Sequence, residues 1–251
     1  MSRSRRVLVT GSSRGIGAAV ARAFAAEGDT VAVHHRDSAG LAGQLVADLP
    51  GTGHVVVQAD LAHADQVAAM VAAATDGLGG LDVLVNNAGI FTAHPPLATD
   101  WAAWQHAWSQ TLAVNLTAAA HAVFCSLPHL LAAGGGAVVN VGSRGAFRGE
   151  PDCPAYGASK AGLHALGQSL AVALAPHGIS VATVAPGFVD TDMAAELLDG
   201  PTGDAIRAQS PFDRVATADE VAGAVLWLAS PGAKFSSGAV LDLNGASYLR
   251  T

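Results

Sequence analysis

Short, almost wholly apolar runs alternate along the chain with longer segments whose apolar positions recur at helical spacing. The runs fall at 6–10, 30–34, 54–59, 81–86, 137–142, 179–185 and 239–243, and the longer segments at 15–27, 40–49, 64–77, 101–133, 156–176 and 218–229. Runs such as Val7-Leu8-Val9 and Val83-Leu84-Val85 lack the polar alternate of a half-exposed strand, so they predict strands covered on both faces. Strand and helix in regular alternation predict parallel strands joined by right-handed crossovers: an α/β, doubly wound parallel sheet of about seven strands with helices on both faces. The 251 residues suffice for a single domain, 1–251, with a continuous core, and no repeat or linker marks a second. One stretch departs from the pattern. Positions 186–216, rich in Gly, Pro, Asp and Ser, lie beyond the carboxyl end of the sixth strand, where open α/β sheets hold ligands, and about 190–215 reads as a substrate lid.

Composition narrows the classes. Hydrophobic residues make up 51% of the chain, much of it alanine, which predicts closely packed helices. Lys and Arg number 13 against 20 Asp and Glu, a net charge of -7 that leaves no electrostatic footprint for nucleic acid or an anionic membrane. The basic start at 2–6 runs into only Val7 to Thr10 before the first glycine, too short for the apolar region of a signal peptide. His, Asn, Gln or Pro breaks the apolar stretches before about 18 residues, so none is expected to span a bilayer. Cys125 and Cys153 form no C-x-x-C and fit a reducing cytoplasm. The ten histidines show no ligand spacing; His34 and His35 on one strand point to opposite faces, and no metal is expected.

The first strand runs into Thr10-Gly11-Ser12-Ser13-Arg14-Gly15-Ile16-Gly17, and a helix begins at once. Glycines there allow a sharp turn and close approach to a pyrophosphate, whose charge a helix N-terminus favours. The spacing G-x-x-x-G-x-G differs from G-x-G-x-x-G, and on its own is equally a tight turn without a ligand. At the end of the second strand an acidic residue would bind the adenosine ribose and repel a 2′-phosphate. Here the sequence reads Val33-His34-His35-Arg36 before Asp37. Arg14 and Arg36 facing one another across the ribose favour NADP(H) over NAD(H), each charge-assisted bond being worth roughly 1.5–3 kcal/mol. Solvated surface arginines are the alternative.

Tyrosine stands only at 156 and 248, lysine only at 160 and 234. Tyr156 and Lys160, four apart, share the helical face that continues through Leu163, Gly167, Leu170 and Leu174, so both occupy positions where the pattern expects core. A packed Tyr with a snorkelling Lys would satisfy that pattern too. As chemistry, a cation ~4 Å from a phenol at an effective dielectric of ~20 contributes about 4 kcal/mol, or roughly three pK units, before desolvation cancels part of it. Such a tyrosine exchanges a proton with a carbonyl or alcohol oxygen. Ser143 follows the fifth strand, placed to hydrogen-bond the same oxygen, and Asn115 interrupts the helical stretch 112–122, where it could anchor a water next to Lys160.

Taken in order, T-G-S-S-R-G-I-G at 10–17, Asp60, N-N-A-G at 86–89, Asn115, Ser143, Y-G-A-S-K at 156–160 and P-G-F-V-D-T at 186–191 resemble the short-chain dehydrogenase/reductase family over essentially the whole chain. The resemblance implies a Rossmann-type fold and metal-free hydride transfer between nicotinamide and a carbonyl or alcohol. It implies a proton relay of Asn115, Ser143, Tyr156 and Lys160, with Lys160 also on the nicotinamide ribose. The cofactor would rest on Gly11, Ser13, Arg14, Gly15, Ile16 and Gly17, on His35, Arg36, Asp60 and Leu61, and on Asn86, Asn87, Ala88 and Gly89. Pro186, Gly187, Val189 and Thr191 would hold the carboxamide side. It also implies a homotetramer or homodimer, for which the stripe Trp101, Trp104, Trp108 suits an interface, although it suits a core equally.

Within the family the likeness is to bacterial 3-oxoacyl-carrier-protein reductases, strongest at A-P-G-F-V-D-T-D-M, 185–193. An acidic carrier needs a basic surface, yet 132–136 and 175–177 hold no Arg or Lys, leaving only Arg144, Arg148 and Arg207 as substitutes. A free small-molecule ketone or alcohol is therefore expected, the carrier-bound β-ketoacyl thioester is second, and a non-catalytic nucleotide-binding regulator third. Arg148, Glu150 and Cys153, between Ser143 and Tyr156, are unranked candidates to face the substrate.

Overall fold

The computed structural model describes residues 4–250. The chain order is β1 (Arg6–Val9), α1 (Gly15–Ala26), β2 (Thr30–His35), α2 (Ala39–Asp48), β3 (Val55–Gln58), α3 (Ala64–Leu78), β4 (Val83–Asn86), α4 (Trp101–Leu112), α5 (Ala118–Ala132), β5 (Gly136–Val141), α6 (Gly145–Arg148), α7 (Pro154–Leu174), β6 (Ile179–Pro186), α8 (Asp192–Asp199), α9 (Gly203–Arg207), α10 (Ala218–Leu228) and β7 (Val240–Leu243). The strands form one parallel sheet in the order β3-β2-β1-β4-β5-β6-β7.

A two-residue period, hidden in the sequence because both alternates are apolar, is plain in the packing. Val7, Val9, Val31, Val33, Val83 and Val85 enter a core with α1, α2 and α10. Leu8, Ala32 and Leu84 point the other way, into a second core with α3, α5 and α7. Each of these valines and leucines, fully buried, contributes roughly 1.5–3 kcal/mol. The basic leader is used at the strand starts: Arg5 pairs with Asp29 at 2.6 Å and Arg6 with Asp82 at 2.7 Å.

Three features depart from expectation. The helix over 101–132 is continuous but not uniform: a π-helical turn, Ala113–Thr117, joins α4 to α5. By length and composition this helix is able to cross a membrane, contrary to the expected interruption of every apolar stretch. His, Gln and Pro lower hydropathy without breaking a helix, and Ala118, Ala122, Val123 and Leu130 lie in the second core. Finally, 186–216 contains α8 and α9, where only irregular chain was expected, because Met193-Ala-Ala-Glu-Leu-Leu is a short helix-forming run.

Candidate active site

Chain order along the sheet reverses between β1 and β4, so the loops leaving their carboxyl ends diverge and open a cleft. A cavity of about 400 Å³ lies there. Its floor is the β1–α1 loop. Gly11 and Gly15 have φ of +63° and +56°, conformations that L side chains rarely adopt. Gly17 is needed for closeness: a Cβ there would stand 2.4 Å from the Gly11 carbonyl oxygen and 2.5 Å from Asn87 Nδ2. Asn87 Nδ2 itself donates to the carbonyls of Thr10 (2.8 Å) and Gly11 (3.0 Å). Helix α1 opens with no side-chain cap and no acidic residue in its first turn. Uncapped N–H groups behind a glycine turn make a cradle for an anion, and the donor set fits a dinucleotide pyrophosphate.

His34 holds this loop from the neighbouring strand. Its Nδ1 accepts from the Gly11 N–H at 2.8 Å, its Nε2 faces the Ala59 carbonyl at 3.1 Å, and its backbone exchanges bonds with Ser12. Both ring nitrogens are thus used by the neutral ring. Burial lowers its pKa to about 4, the Ala59 contact opposing and His35 assisting. Sequence periodicity gave no sign of this role.

The cavity is lined by Ser13, Arg14 and Ile16 beside these glycines, by His35 and Arg36 after β2, and by Asp60 and Leu61 after β3. Asn87, Ala88 and Gly89 after β4 line it too, with Pro186, Gly187, Val189 and Thr191 after β6. Ser143, Tyr156 and Lys160 form its far wall. Asn86 does not reach it: buried at the end of β4, it donates to Asn140 Oδ1 at 3.0 Å, its register partner on β5. Arg36 is exposed and paired with Asp37 at 2.5 Å, which also lines the cavity.

Helix α7 carries the Tyr-Lys pair. It starts at Pro154, whose missing N–H costs nothing in a first turn, and the next N–H, of Ala155, donates to His94 Nε2 at 3.1 Å. The Tyr156 and Phe91 rings meet in a T-shaped contact (centroids 4.9 Å apart), and Tyr156 hydrogen-bonds Ser143. Lys160 Nζ lies 5.7 Å from the Tyr156 ring centroid and donates to the Val141 carbonyl at 2.8 Å. Asn115, on the π-helical turn and buried, is set behind the wall, where it exchanges bonds with the Ile90 backbone (2.8 and 3.0 Å) and donates to Ser159 Oγ at 3.1 Å. A Cβ on Gly89 would meet both Lys160 Nζ and Asn115 Oδ1.

The electrostatics correct one expectation. Burial pushes Tyr156 up to about 12; the Ser143 bond opposes this, and Glu150 and Cys153 reinforce it. Lys160 is lowered to about 8 by burial alone. Desolvation outweighs the Ser143 bond, so the phenol is held as a proton donor near neutrality, not poised to ionise.

Other candidates sort clearly. Arg144 is buried, donating to Ser247 at 2.6 Å with its guanidinium 5.4 Å from the Phe188 ring, and cannot serve as a docking surface. Arg148 and Arg207 are engaged by Gln209 and Asp204. Cys153 is buried outside the cavity, whereas Glu150 lines it. Trp101 is exposed, and Trp104 packs between His94 and Trp108. Periodicity also missed His164, whose Nε2 accepts from the Ser143 N–H at 3.3 Å. Among the described residues no cluster of His, Cys, Asp or Glu is placed to hold a metal ion.

A family model described as enoyl-(acyl carrier protein) reductase matches residues 11–245. A Staphylococcus aureus protein named 3-oxoacyl-[acyl-carrier-protein] reductase FabG is 35% identical over 251 residues, covering 99% of this chain and all of its own. A cis-4-hydroxycyclohexanecarboxylate dehydrogenase from Sinomonas cyclohexanicum is 39% identical over 244 residues, 96% of this chain and 95% of its own. Among solved structures, a dehydrogenase/reductase from Sinorhizobium meliloti superimposes with TM-score 0.90 at 35% identity, covering 99% of this chain and 97% of that one. A Burkholderia cenocepacia short-chain dehydrogenase in complex with NADP gives 0.88 at 38%, with 97% of each covered. With likeness across the whole length, and with Ser143, Tyr156 and Lys160 lining the cleft beyond the glycine loop, the chain belongs to the short-chain dehydrogenase/reductase family of NAD(P)-dependent oxidoreductases.

Proposed function

We propose that the protein interconverts a small-molecule ketone and its secondary alcohol, with NADP(H) preferred over NAD(H). The observation that carries this reading is the convergence of the Ser143 hydroxyl, the Tyr156 phenol and the Lys160 ammonium on one cavity wall. The glycine loop would hold the pyrophosphate, Asp60 and Leu61 the adenine side, and Val189 and Thr191 the carboxamide. When bound, the nicotinamide supplies or accepts the hydride. Tyr156, protonated at neutral pH, gives its proton to the carbonyl oxygen during reduction, and Ser143 hydrogen-bonds that same oxygen. Lys160, mostly cationic at pH 7, favours the phenolate that the transfer creates, and Asn115 fixes the backbone between Lys160 and the π-helical turn.

Arg14 and Arg36 support NADP(H): both border the cavity after β1 and β2, and a 2′-phosphate competes well with the solvent-exposed Asp37 for Arg36. The chain from 190 to 215, with α8 and α9, acts as a lid, with Thr191, Asp192, Met193 and Ala194 lining the cavity. Two free thiols, Cys125 and Cys153, fit a cytoplasmic setting. Trp101 on α4, Phe124 on α5 and Val172 on α7 remain exposed and suit a homodimer or homotetramer.

The carrier-bound β-ketoacyl thioester is the second reading, favoured by the FabG relatives and weakened by the burial of Arg144. A turnover screen of ketones, alcohols and β-ketoacyl thioesters, free and carrier-bound, separates the two. Tyr156→Phe tests the mechanism. It should nearly abolish turnover while leaving NADPH binding within a few-fold of the parent; undiminished turnover would refute this mechanism, and a parent that binds NADPH without turning over any of these substrates would revive the non-catalytic regulator.

A further inference from the structure

The geometry points to Glu150 as a specificity-determining residue: its carboxyl group receives a hydroxyl or ammonium donor on the substrate, so the preferred ketone or alcohol carries such a donor close to the reacting carbon. The inference deepens the ketone/alcohol reading and rests on it.

Glu150 borders the same cavity as Ser143 and Tyr156, half-buried on the segment between α6 and α7. Among the described residues its carboxylate makes no hydrogen bond and no ion pair. The two nearby arginines spend their hydrogen bonds elsewhere, Arg144 on Ser247 and Arg148 on Gln209, and their charges offset only part of the burial that raises the Glu150 pKa. The carboxyl packs against Gly145, where a Cβ would stand 2.3 Å from Oε1 and would have to push the Glu150 side chain aside. Gly145 in turn donates its N–H to Ser143 Oγ at 2.9 Å, which sets the carboxyl one residue away from the hydroxyl that would hold the substrate oxygen. Tyr156 feels the same charge. A partly desolvated carboxylate without a hydrogen-bond donor is costly, and a donor on the substrate relieves that cost at the moment of binding. Ile90, Phe91, Phe188 and Met193 make other parts of the lining apolar, so the matching molecule is hydrocarbon elsewhere and polar at one position. An anionic group near the carbonyl would meet Glu150 and be disfavoured.

The test compares kcat/KM for butan-2-one, 1-hydroxybutan-2-one, 4-hydroxybutan-2-one, 4-aminobutan-2-one and 3-oxobutanoate, with NADPH and with NADH, in the parent, Glu150→Gln and Glu150→Ala. Dinucleotide titration of each variant establishes that it is folded. In the parent at least one donor-bearing ketone should exceed butan-2-one by about ten- to a hundredfold, the range of a charge-assisted hydrogen bond. In Glu150→Ala that ratio should fall to about one and discrimination against 3-oxobutanoate should relax; Glu150→Gln should keep a preference for a hydroxyl and lose that for an ammonium. A parent that favours butan-2-one or 3-oxobutanoate, or a ratio unmoved in Glu150→Ala, overturns the role of Glu150 while leaving the oxidoreductase reading intact. Absence of turnover across the whole panel would overturn both.

Discussion

Acidification should loosen the dinucleotide loop through one imidazole. His34 accepts from the Gly11 N–H with one nitrogen and faces the Ala59 carbonyl with the other, so only the neutral ring serves both. Its pKa is lowered from 6.5 to about 4, first by burial. Above pH 6.5 the ring is neutral folded or unfolded, and nothing is lost. Below that value the unfolded chain takes up the proton first, so stability falls as pH drops from 6.5 towards 4. The full loss is ~3 kcal/mol, of which ~2 kcal/mol is already gone at pH 5, at 1.36 kcal/mol per pK unit. Urea unfolding at pH 7 and pH 5, at one fixed protein concentration, measures it. His34→Asn keeps an acceptor for Gly11 and does not titrate, so the parent should lose ~2 kcal/mol more than the variant across that interval. NADPH affinity should weaken over the same range in the parent alone. Equal pH dependence in the two proteins would falsify the claim that this ring is held neutral.

Gly17→Ala should abolish measurable NADPH binding by fluorescence titration, because the new Cβ collides with backbone and with Asn87, not with a flexible side-chain end. The kcat/KM ratio for NADPH over NADH should exceed one in the parent and fall by about tenfold or more in Arg36→Ala; a clear NADH preference in the parent counts against the cofactor assignment. Ketone reduction should decline above about pH 8 as Lys160 loses its proton, and a pH–rate profile flat from 7 to 10 would remove the ammonium from the mechanism.

What was legible in the sequence was what a local period or a short spacing can express. Gly11, Gly15 and Gly17 are a backbone requirement written in three letters, and Tyr156 with Lys160 are polar intruders on a helical stripe. The strands read correctly as doubly covered because both alternates are apolar. His34 and His164 did not read, since each works through the backbone of a segment distant in sequence, and a histidine on a strand or a helix face carries no mark of that. The ionisation of Tyr156 was misjudged because Coulomb attraction can be estimated from spacing, whereas desolvation depends on everything else that closes around the ring. Nor does any residue type announce a π-helical turn.

That turn has a mechanical consequence. A π turn holds one residue more than the α-helical ladder requires, and each residue advances an α-helix by roughly 100°. The stretch before it leans on α7 and the stretch after it on α3. One rod is thereby clocked to two neighbours, with Asn115 seated at the change of phase. Exchange of side chains along this rod disturbs contacts one at a time. Adding or removing a single residue would instead swing an entire half away from its partner, so the helix is far more tolerant of substitution than of any change in length.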